Sequence, residues 1–265
     1  MENEARAIVA VLGLGEAGSL IARDLVRAGH AVRGWDPNPH GDLSEIPFAD
    51  SFAAAVDGAR IVLSVNWAIV ALEVARDALP LLRGGMIFAD LNTAGPALKR
   101  ELAAVVAPSG ARFVDVAMMT PVPPHGVRVP MFLAGDGAEE LAAFLRPLGT
   151  PADVVGAEPG EAAARKLTRS VFFKGMSGAV CEALEAARAA GVEDWLRADI
   201  ARTFVDADAS LIDRIVDGTH RHAVRRAHEM HDAVELLDAL GVPPTMTRAS
   251  AEQLERIAAE RSAKS

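Results

Sequence analysis

The hexapeptide Gly13-Leu14-Gly15-Glu16-Ala17-Gly18 constrains this chain more than any other segment. It follows an apolar run over residues 7–12 that reads as a β-strand, and it opens a helical pattern over residues 17–28. Alone, a G-x-G-x-x-G string is weak. Between a strand and a helix it has a physical meaning. The first glycine permits a tight turn, the second lets backbone approach a pyrophosphate, and the third lets the helix pack closely on the strand. The helix N-terminus then aims unpaired N–H groups at the phosphates. A second strand over residues 31–35 ends at Asp36, 18 residues past Gly18. A carboxylate there accepts hydrogen bonds from adenosine ribose hydroxyls. The residues after it, Pro37-Asn38-Pro39-His40, carry no Lys or Arg to meet a 2′-phosphate, and Arg33 lies back within the strand. NAD is therefore favoured over NADP as the cofactor.

Further apolar runs at residues 60–65, 86–91, 112–117, 131–134 and 152–155 alternate with helical patterns at 68–82, 96–106 and 139–145. Continuous rather than alternating apolar strands predict a mostly parallel sheet covered on both faces. After Pro159 the strand signals stop. The remainder is helical, with breaks predicted at Gly191, at Gly218 and at Gly241-Val242-Pro243-Pro244, and a fraying tail over residues 259–265. The predicted fold class is α/β, a doubly wound Rossmann-type domain over residues 1–158. An all-α domain over residues 159–265 follows, beginning with a long interdomain helix.

Composition narrows the function classes. With 36 acidic against 27 basic residues, the net charge of −9 excludes nucleic acid and anionic membrane surfaces as expected partners. A single cysteine, Cys181, makes no internal disulfide and fits a reducing, cytoplasmic setting. The polar start, Met1–Arg6, shows no signal sequence, and no apolar run is long enough to span a bilayer. There is no tyrosine, which excludes reductases whose proton donor is a tyrosine hydroxyl.

Three further segments carry a resemblance. They are Asp90-Leu91-Asn92-Thr93-Ala94-Gly95-Pro96, then Phe113-Val114-Asp115-Val116-Ala117-Met118-Met119-Thr120-Pro121, and then Lys166-Leu167-Thr168-Arg169-Ser170. With the glycine loop they resemble, in order and spacing, the β-hydroxyacid dehydrogenase superfamily. That superfamily includes 6-phosphogluconate and 3-hydroxyisobutyrate dehydrogenases and the imine reductases. The match looks closest to a phosphogluconate dehydrogenase-like branch, to which the helix from Arg169 to Gly175 and the segment from His222 to Met230 are also similar. The resemblance implies hydride transfer between a nicotinamide and a small, anionic hydroxy-acid or carbonyl substrate, with Lys166 as general acid/base. It implies that Asn66, Trp67 and Thr93 join the loop and Asp36 around the cofactor, that Met119, Thr120, Ser170 and Lys174 meet the substrate, and that the helical domain forms a homodimer.

The residues themselves agree on one point. Lys166, Ser170, Phe173, Lys174 and Ser177 fall on one helical face, while Leu167, Val171, Met176, Val180 and Leu184 make other sectors apolar. Such a helix is predicted to be buried between layers, with its polar stripe, Lys166 included, lining a cleft. Two departures matter. Where the family has S-G-G, this chain has Met119-Thr120-Pro121, and proline donates no N–H to a carboxylate. Where the family has K-x-x-N-N, Arg169 and Ser170 replace the asparagines. The alternatives are an imine reductase-like enzyme, although those enzymes generally place a different residue at the lysine, and a non-catalytic dinucleotide-binding dimer. Four histidines within residues 220–231 are read as solvated or interface groups rather than metal ligands, with His231 near enough the apolar face to reach a substrate. Trp35, Trp67 and Trp195 are read as core or interface aromatics.

Overall fold

The structure, a computed structural model, describes residues 8–263. Residues 1–7, including the first residue assigned to the opening strand, and the last two of the tail lie outside the described residues. Seven strands, β1 (Ile8–Leu12), β2 (Ala31–Trp35), β3 (Ile61–Ser64), β4 (Ile87–Asp90), β5 (Arg112–Met118), β6 (Met131–Ala134) and β7 (Ala152–Gly156), form one sheet. Its order is β2-β1-β3-β4-β5-β6-β7. The first five strands are parallel, β6 runs antiparallel to β5, and β7 runs parallel to β6, so the sheet is mixed.

Both faces are covered, as continuous apolar strands require. On one face Val9, Val11, Leu63, Val114 and Val116 pack with Ile21 and Leu25 of α1 (Glu16–Arg27). On the other, Ala10, Leu12, Val62, Phe88 and Phe113 meet α2 (Phe52–Val56), α3 (Ala71–Ala78) and α4 (Pro96–Val106). Leu141 of α5 (Ala138–Leu145) closes the first face. The pattern over residues 68–82 is not one helix. Short 3-10 turns at Ala68–Val70 and Leu79–Leu81 flank α3, and the second contains Pro80, whose missing N–H cannot continue the α-helical ladder.

After β7 in sequence come α6 (Glu161–Ala189), α7 (Glu193–Val205), α8 (Ser210–Ala239) and α9 (Thr245–Ser262). By internal contacts the chain divides into two compact units inside α6, after Arg169. In the second unit, Gly191 and Gly241 end helices at φ of +73° and +72°. Gly218 does not: it sits within α8. The break falls instead at residues 206–209, where Asp208 Oδ1 accepts from Ser210 N at 2.9 Å and from Ser210 Oγ at 2.6 Å, a local turn that precedes the next helix. A kink follows at His222 (φ −117°, ψ 21°), whose neighbouring carbonyls, those of His220 and Arg221, accept from Arg261 Nη1. The tail does not fray before Ser262, because α9 continues that far.

Glu182 ties α6 to α9. Its carboxylate accepts from Met246 N at 2.7 Å, Thr247 N at 2.8 Å and Thr247 Oγ1 at 2.6 Å. Burial pushes this carboxyl up, but those hydrogen bonds outweigh it and hold it below the usual range. The expectation of a helix buried on several sides fails for the single chain. Val171 and Phe172 of α6 are 76% and 54% exposed, because this helix is apolar on more sides than its own chain covers. Trp195 of α7 is likewise exposed rather than core, while Trp35 packs edge-on against Phe52.

Candidate active site

Strand order reverses between β1 and β3, and in such sheets ligands bind beyond the carboxyl ends of the strands at that point. The glycine loop lies there. Gly13 holds φ of +97°, and a Cβ on it would stand 2.2 Å from Val65 O. A Cβ on Gly18 would stand 1.9 Å from Gly13 O, so the loop and α1 meet backbone to backbone. Gly15 differs: a Cβ there would meet nothing within 4 Å. The second glycine therefore faces open space, as it must if a pyrophosphate approaches its backbone. Asp36 Oδ2 accepts from Leu14 N at 2.7 Å, and Oδ1 accepts from Asn38 N at 2.8 Å. These bonds fix the ribose-side carboxylate against the loop. Glu16 and Ala17 form the first turn of α1. The residues present fit a dinucleotide.

Beside the loop, the ends of β3 and β4 are stitched by amides. Asn66 N donates to Asn92 Oδ1 at 2.5 Å, and Asn66 Nδ2 donates to Ser64 Oγ at 3.0 Å. The next residue, Thr93, is exposed, and its Oγ1 accepts from Lys166 Nζ at 3.0 Å. Arg169, one turn further along α6, donates from Nη1 to Met119 O at 3.2 Å. Thr120 Oγ1 is shielded from solvent and makes no hydrogen bond.

Beneath this lies a buried ionic cluster that the sequence did not announce. Lys99 of α4 is 1% exposed, and its ammonium sits 2.6 Å from Asp90 Oδ2 and 3.2 Å from Asp115 Oδ1. It also donates to Asp90 O at 2.8 Å. Asp90 Oδ1 accepts from Asn92 Nδ2, and Asp115 Oδ2 accepts from Gly160 N at 3.1 Å and Ala163 N at 3.0 Å, at the start of α6. Burial pushes the Asp90 carboxyl up, with Lys99 and Asn92 opposing and the Asp115 charge adding to the rise. Both aspartates were visible as motif positions. Lys99 had no signal except its i+9 spacing from Asp90, which reads as an ordinary solvated helix lysine.

Several expectations need correction. Lys166 is half-buried rather than enclosed. Trp67 is 82% exposed and is not a core aromatic. His231 Nε2 lies 2.7 Å from Glu255 Oε1, which occupies it within the helical unit. Ser170 and Lys174 lie on α6 in the second unit, Ser170 half-buried and Lys174 exposed. Arg33, as expected, points away from the ribose site: it donates to the carbonyls of Ala54 and Asp57 at the end of α2. The second unit also holds an apolar cavity of about 390 Å³ lined by Ala183, Leu196, Met230 and Leu237. Its one charged group, Glu182, is committed to the amides of α9, so the cavity lacks reactive chemistry. Among the described residues no group of His, Cys, Asp and Glu converges as a metal site, and no helix is long and apolar enough to cross a membrane.

Residues 8–119 match the family described as the NAD binding domain of 6-phosphogluconate dehydrogenase. Residues 187–257 match a domain of unknown function, DUF1932. A conserved hypothetical protein from Sinorhizobium meliloti 1021 is 31% identical, over 95% of this chain and 88% of that one, with a TM-score of 0.64. A 3-hydroxyisobutyrate dehydrogenase of Pseudomonas aeruginosa is 29% identical over 142 residues, 51% of this chain and 48% of that protein. The imine reductase of Myxococcus stipitatus, in complex with NADP+, gives a TM-score of 0.82 at 20% identity over 96% of this chain and 94% of that one, a likeness of fold. With the glycine loop at the strand reversal and its partner Asp36 in place, the chain belongs to the β-hydroxyacid and 6-phosphogluconate dehydrogenase-like superfamily of NAD(P)-dependent oxidoreductases.

Proposed function

We propose that this chain is a nicotinamide-dependent reductase that acts on a C=N or C=O carbon, with Lys166 exchanging the accompanying proton. The observation that carries this reading is the 3.0 Å hydrogen bond from Lys166 Nζ to Thr93 Oγ1, at the carboxyl end of the sheet beside Asn66 and Asn92. A bound nicotinamide supplies or accepts hydride. Lys166, as an ammonium, donates the proton that the reduced nitrogen or oxygen needs; as an amine, it takes that proton back in the reverse direction. Thr93 holds the lysine at a defined place, and Asn66 and Asn92 stiffen the ribose side of the cleft.

The likeness in fold to imine reductases supports C=N reduction ahead of the hydroxy-acid reading, and the Met119-Thr120-Pro121 segment supports it independently. A hydroxy acid needs its carboxylate bound, and Pro121 offers no N–H for that. The hydroxy-acid reading keeps one argument of its own, Lys166 itself, which the family's hydroxy-acid members carry. In either case Thr120, whose Oγ1 lacks a partner, is assigned to the substrate together with Met119, Ser170 and Lys174. NAD is the favoured cofactor because Asp36 repels a 2′-phosphate and Arg33 is spent on backbone carbonyls. We assign residues 1–158 to dinucleotide binding and residues 159–265 to substrate binding and to dimerisation through the exposed apolar side of α6. Burying such a patch in a homodimer is its natural use, and light scattering of a monomer at micromolar concentration would remove that assignment. The lone Cys181 suits a reducing cytoplasm.

The test is a turnover panel of cyclic imines, ketones, aldehydes and hydroxy acids with both cofactors, read at the nicotinamide absorbance. Reduction of imines or ketones with NADH is expected. Tight cofactor binding without turnover of any class would turn the reading to a non-catalytic dinucleotide-binding protein.

A further inference from the structure

Only four of the 27 cationic side chains are lysines, Lys99, Lys166, Lys174 and Lys264; the rest are arginines. Two of the four belong to one closed circuit of hydrogen bonds, ion pairs and short stretches of backbone. It starts at Lys166, which donates to Thr93 Oγ1. Thr93 adjoins Asn92, which donates to Asp90; Asp90 pairs with Lys99; Lys99 lies 3.2 Å from Asp115 Oδ1. Asp115 Oδ2 accepts the amides of Gly160 and Ala163, and Ala163 lies three residues before Lys166, less than one helical turn. The circuit thereby returns to its origin. Asp90, Lys99 and Asp115 are all buried to within 1%.

From this geometry we infer that Asp115 is the positioning residue for Lys166, itself held in place by Lys99; the inference rests on the proton-transfer role proposed above for Lys166. A helix start attracts anions because its first N–H groups are unpaired. Asp115 sits on β5, outside the helix, so it ties the first turn of α6 to the sheet. Without it, the first turn of α6 loses its side-chain anchor on β5, and Lys166 with it. Lys99 supplies what an internal cap would not: a charge that keeps two buried carboxylates from repelling each other. It does so through a network that also orients Asn92 and, through Asn92, the Asn66 amide.

The small number of lysines makes the test direct. Reductive ¹³C-methylation of the full-length protein gives a few dimethylamine signals, which NMR follows without any substrate. Lys174, two turns further along α6, is an internal control on the same helix. Asp115→Ala is expected to shift and sharpen the Lys166 signal towards that of a freely rotating lysine, while the Lys174 signal and NADH affinity stay unchanged. Asp115→Asn, which keeps one oxygen for the Gly160 and Ala163 amides, is expected to restore most of the wild-type Lys166 signal. A displaced lysine would also cost turnover about 10²-fold, the scale of an ångström of misplacement. An unmoved Lys166 signal in Asp115→Ala overturns the inference, as does equal movement of Lys166 and Lys174. If Asp115→Ala does not fold, Thr93→Val opens the circuit from its exposed end, and an unmoved Lys166 signal there overturns it equally. Normal turnover in Lys166→Ala would defeat the proton-transfer role instead, and leave the NMR result standing.

Discussion

Replacing Lys99 with Met probes the buried cluster at its only cation. The side chains are similar in volume, so no large cavity opens and the effect is electrostatic. Lys99 is 1% exposed and both aspartates are fully buried, at 2.6 and 3.2 Å from its ammonium. Removing one partner of a buried ion pair costs about 3–5 kcal/mol, because the remaining charge has no compensation. At about 2–4 °C per kcal/mol for a unit of this size, the melting temperature should fall by roughly 6–20 °C. The pH dependence gives the sharper signature. Burial already pushes Asp90 up, and Lys99 is the main opposing group. Asp90 is already a weaker acid in the folded protein than in the unfolded chain, and without Lys99 it becomes weaker still. The folded state then holds the extra proton, so the variant gains stability as pH falls and loses it as pH rises through the folded value. Urea unfolding followed by circular dichroism at about pH 8 and about pH 5.5 should show the gap to wild type shrinking at the lower pH. A gap below about 1 kcal/mol, as for a surface substitution, or one that does not change with pH, would refute the assignment of Lys99 as the charge that compensates the buried carboxylates.

Gly15→Ala should leave the melting temperature unchanged yet weaken NADH binding, since its Cβ enters only open space; Gly13→Ala should destabilise the fold, because φ is +97° and Val65 O stands in the way. Calorimetry with and without NADH separates the two. Asp36→Ala should narrow the preference for NADH over NADPH in titration calorimetry, by removing the charge that repels a 2′-phosphate. Glu182→Gln should cost the helical unit about 1–3 kcal/mol, the scale of a hydrogen bond to a charged group. Because the Glu182 carboxyl is held below its usual range, its contribution is present above that range and lost as pH falls through the folded value, so the difference between variant and wild type should vanish in acid.

The sheet was legible because its strands are unbroken apolar runs and its loop requires glycine for steric reasons. Strand edges shifted by a residue at most, and α2 went unread because five residues of Phe52–Val56 hold too little periodicity. The helical unit was harder. Gly218 looked like a break, but a glycine inside a long helix costs only about 1 kcal/mol, and the turn at Asp208 lies ahead of it instead. At the site, Gly13, Gly15, Gly18 and Asp36 could be placed from local chemistry, because each acts through its own backbone or a near neighbour. Lys99 could not. Its importance arises only when β4, β5 and α4 meet, and no pattern along the chain records a contact between Lys99 and Asp115. The exposure of Val171 and Phe172 shows the same limit from the other side: apolar periodicity reports that a face wants cover, not which surface supplies it.

The most direct test of the central proposal is single-turnover kinetics of Lys166→Ala at saturating NADH, on whichever imine or ketone the panel identifies. Cofactor affinity should remain near wild type, because the glycine loop and Asp36 are untouched. The hydride-transfer rate should fall by about 10²–10⁴-fold, the usual contribution of a general acid/base, and Lys166→Arg should recover little of it, since a guanidinium holds its proton too tightly. A near-normal rate in Lys166→Ala would contradict the mechanism and leave the proton donor to be sought elsewhere in the cleft.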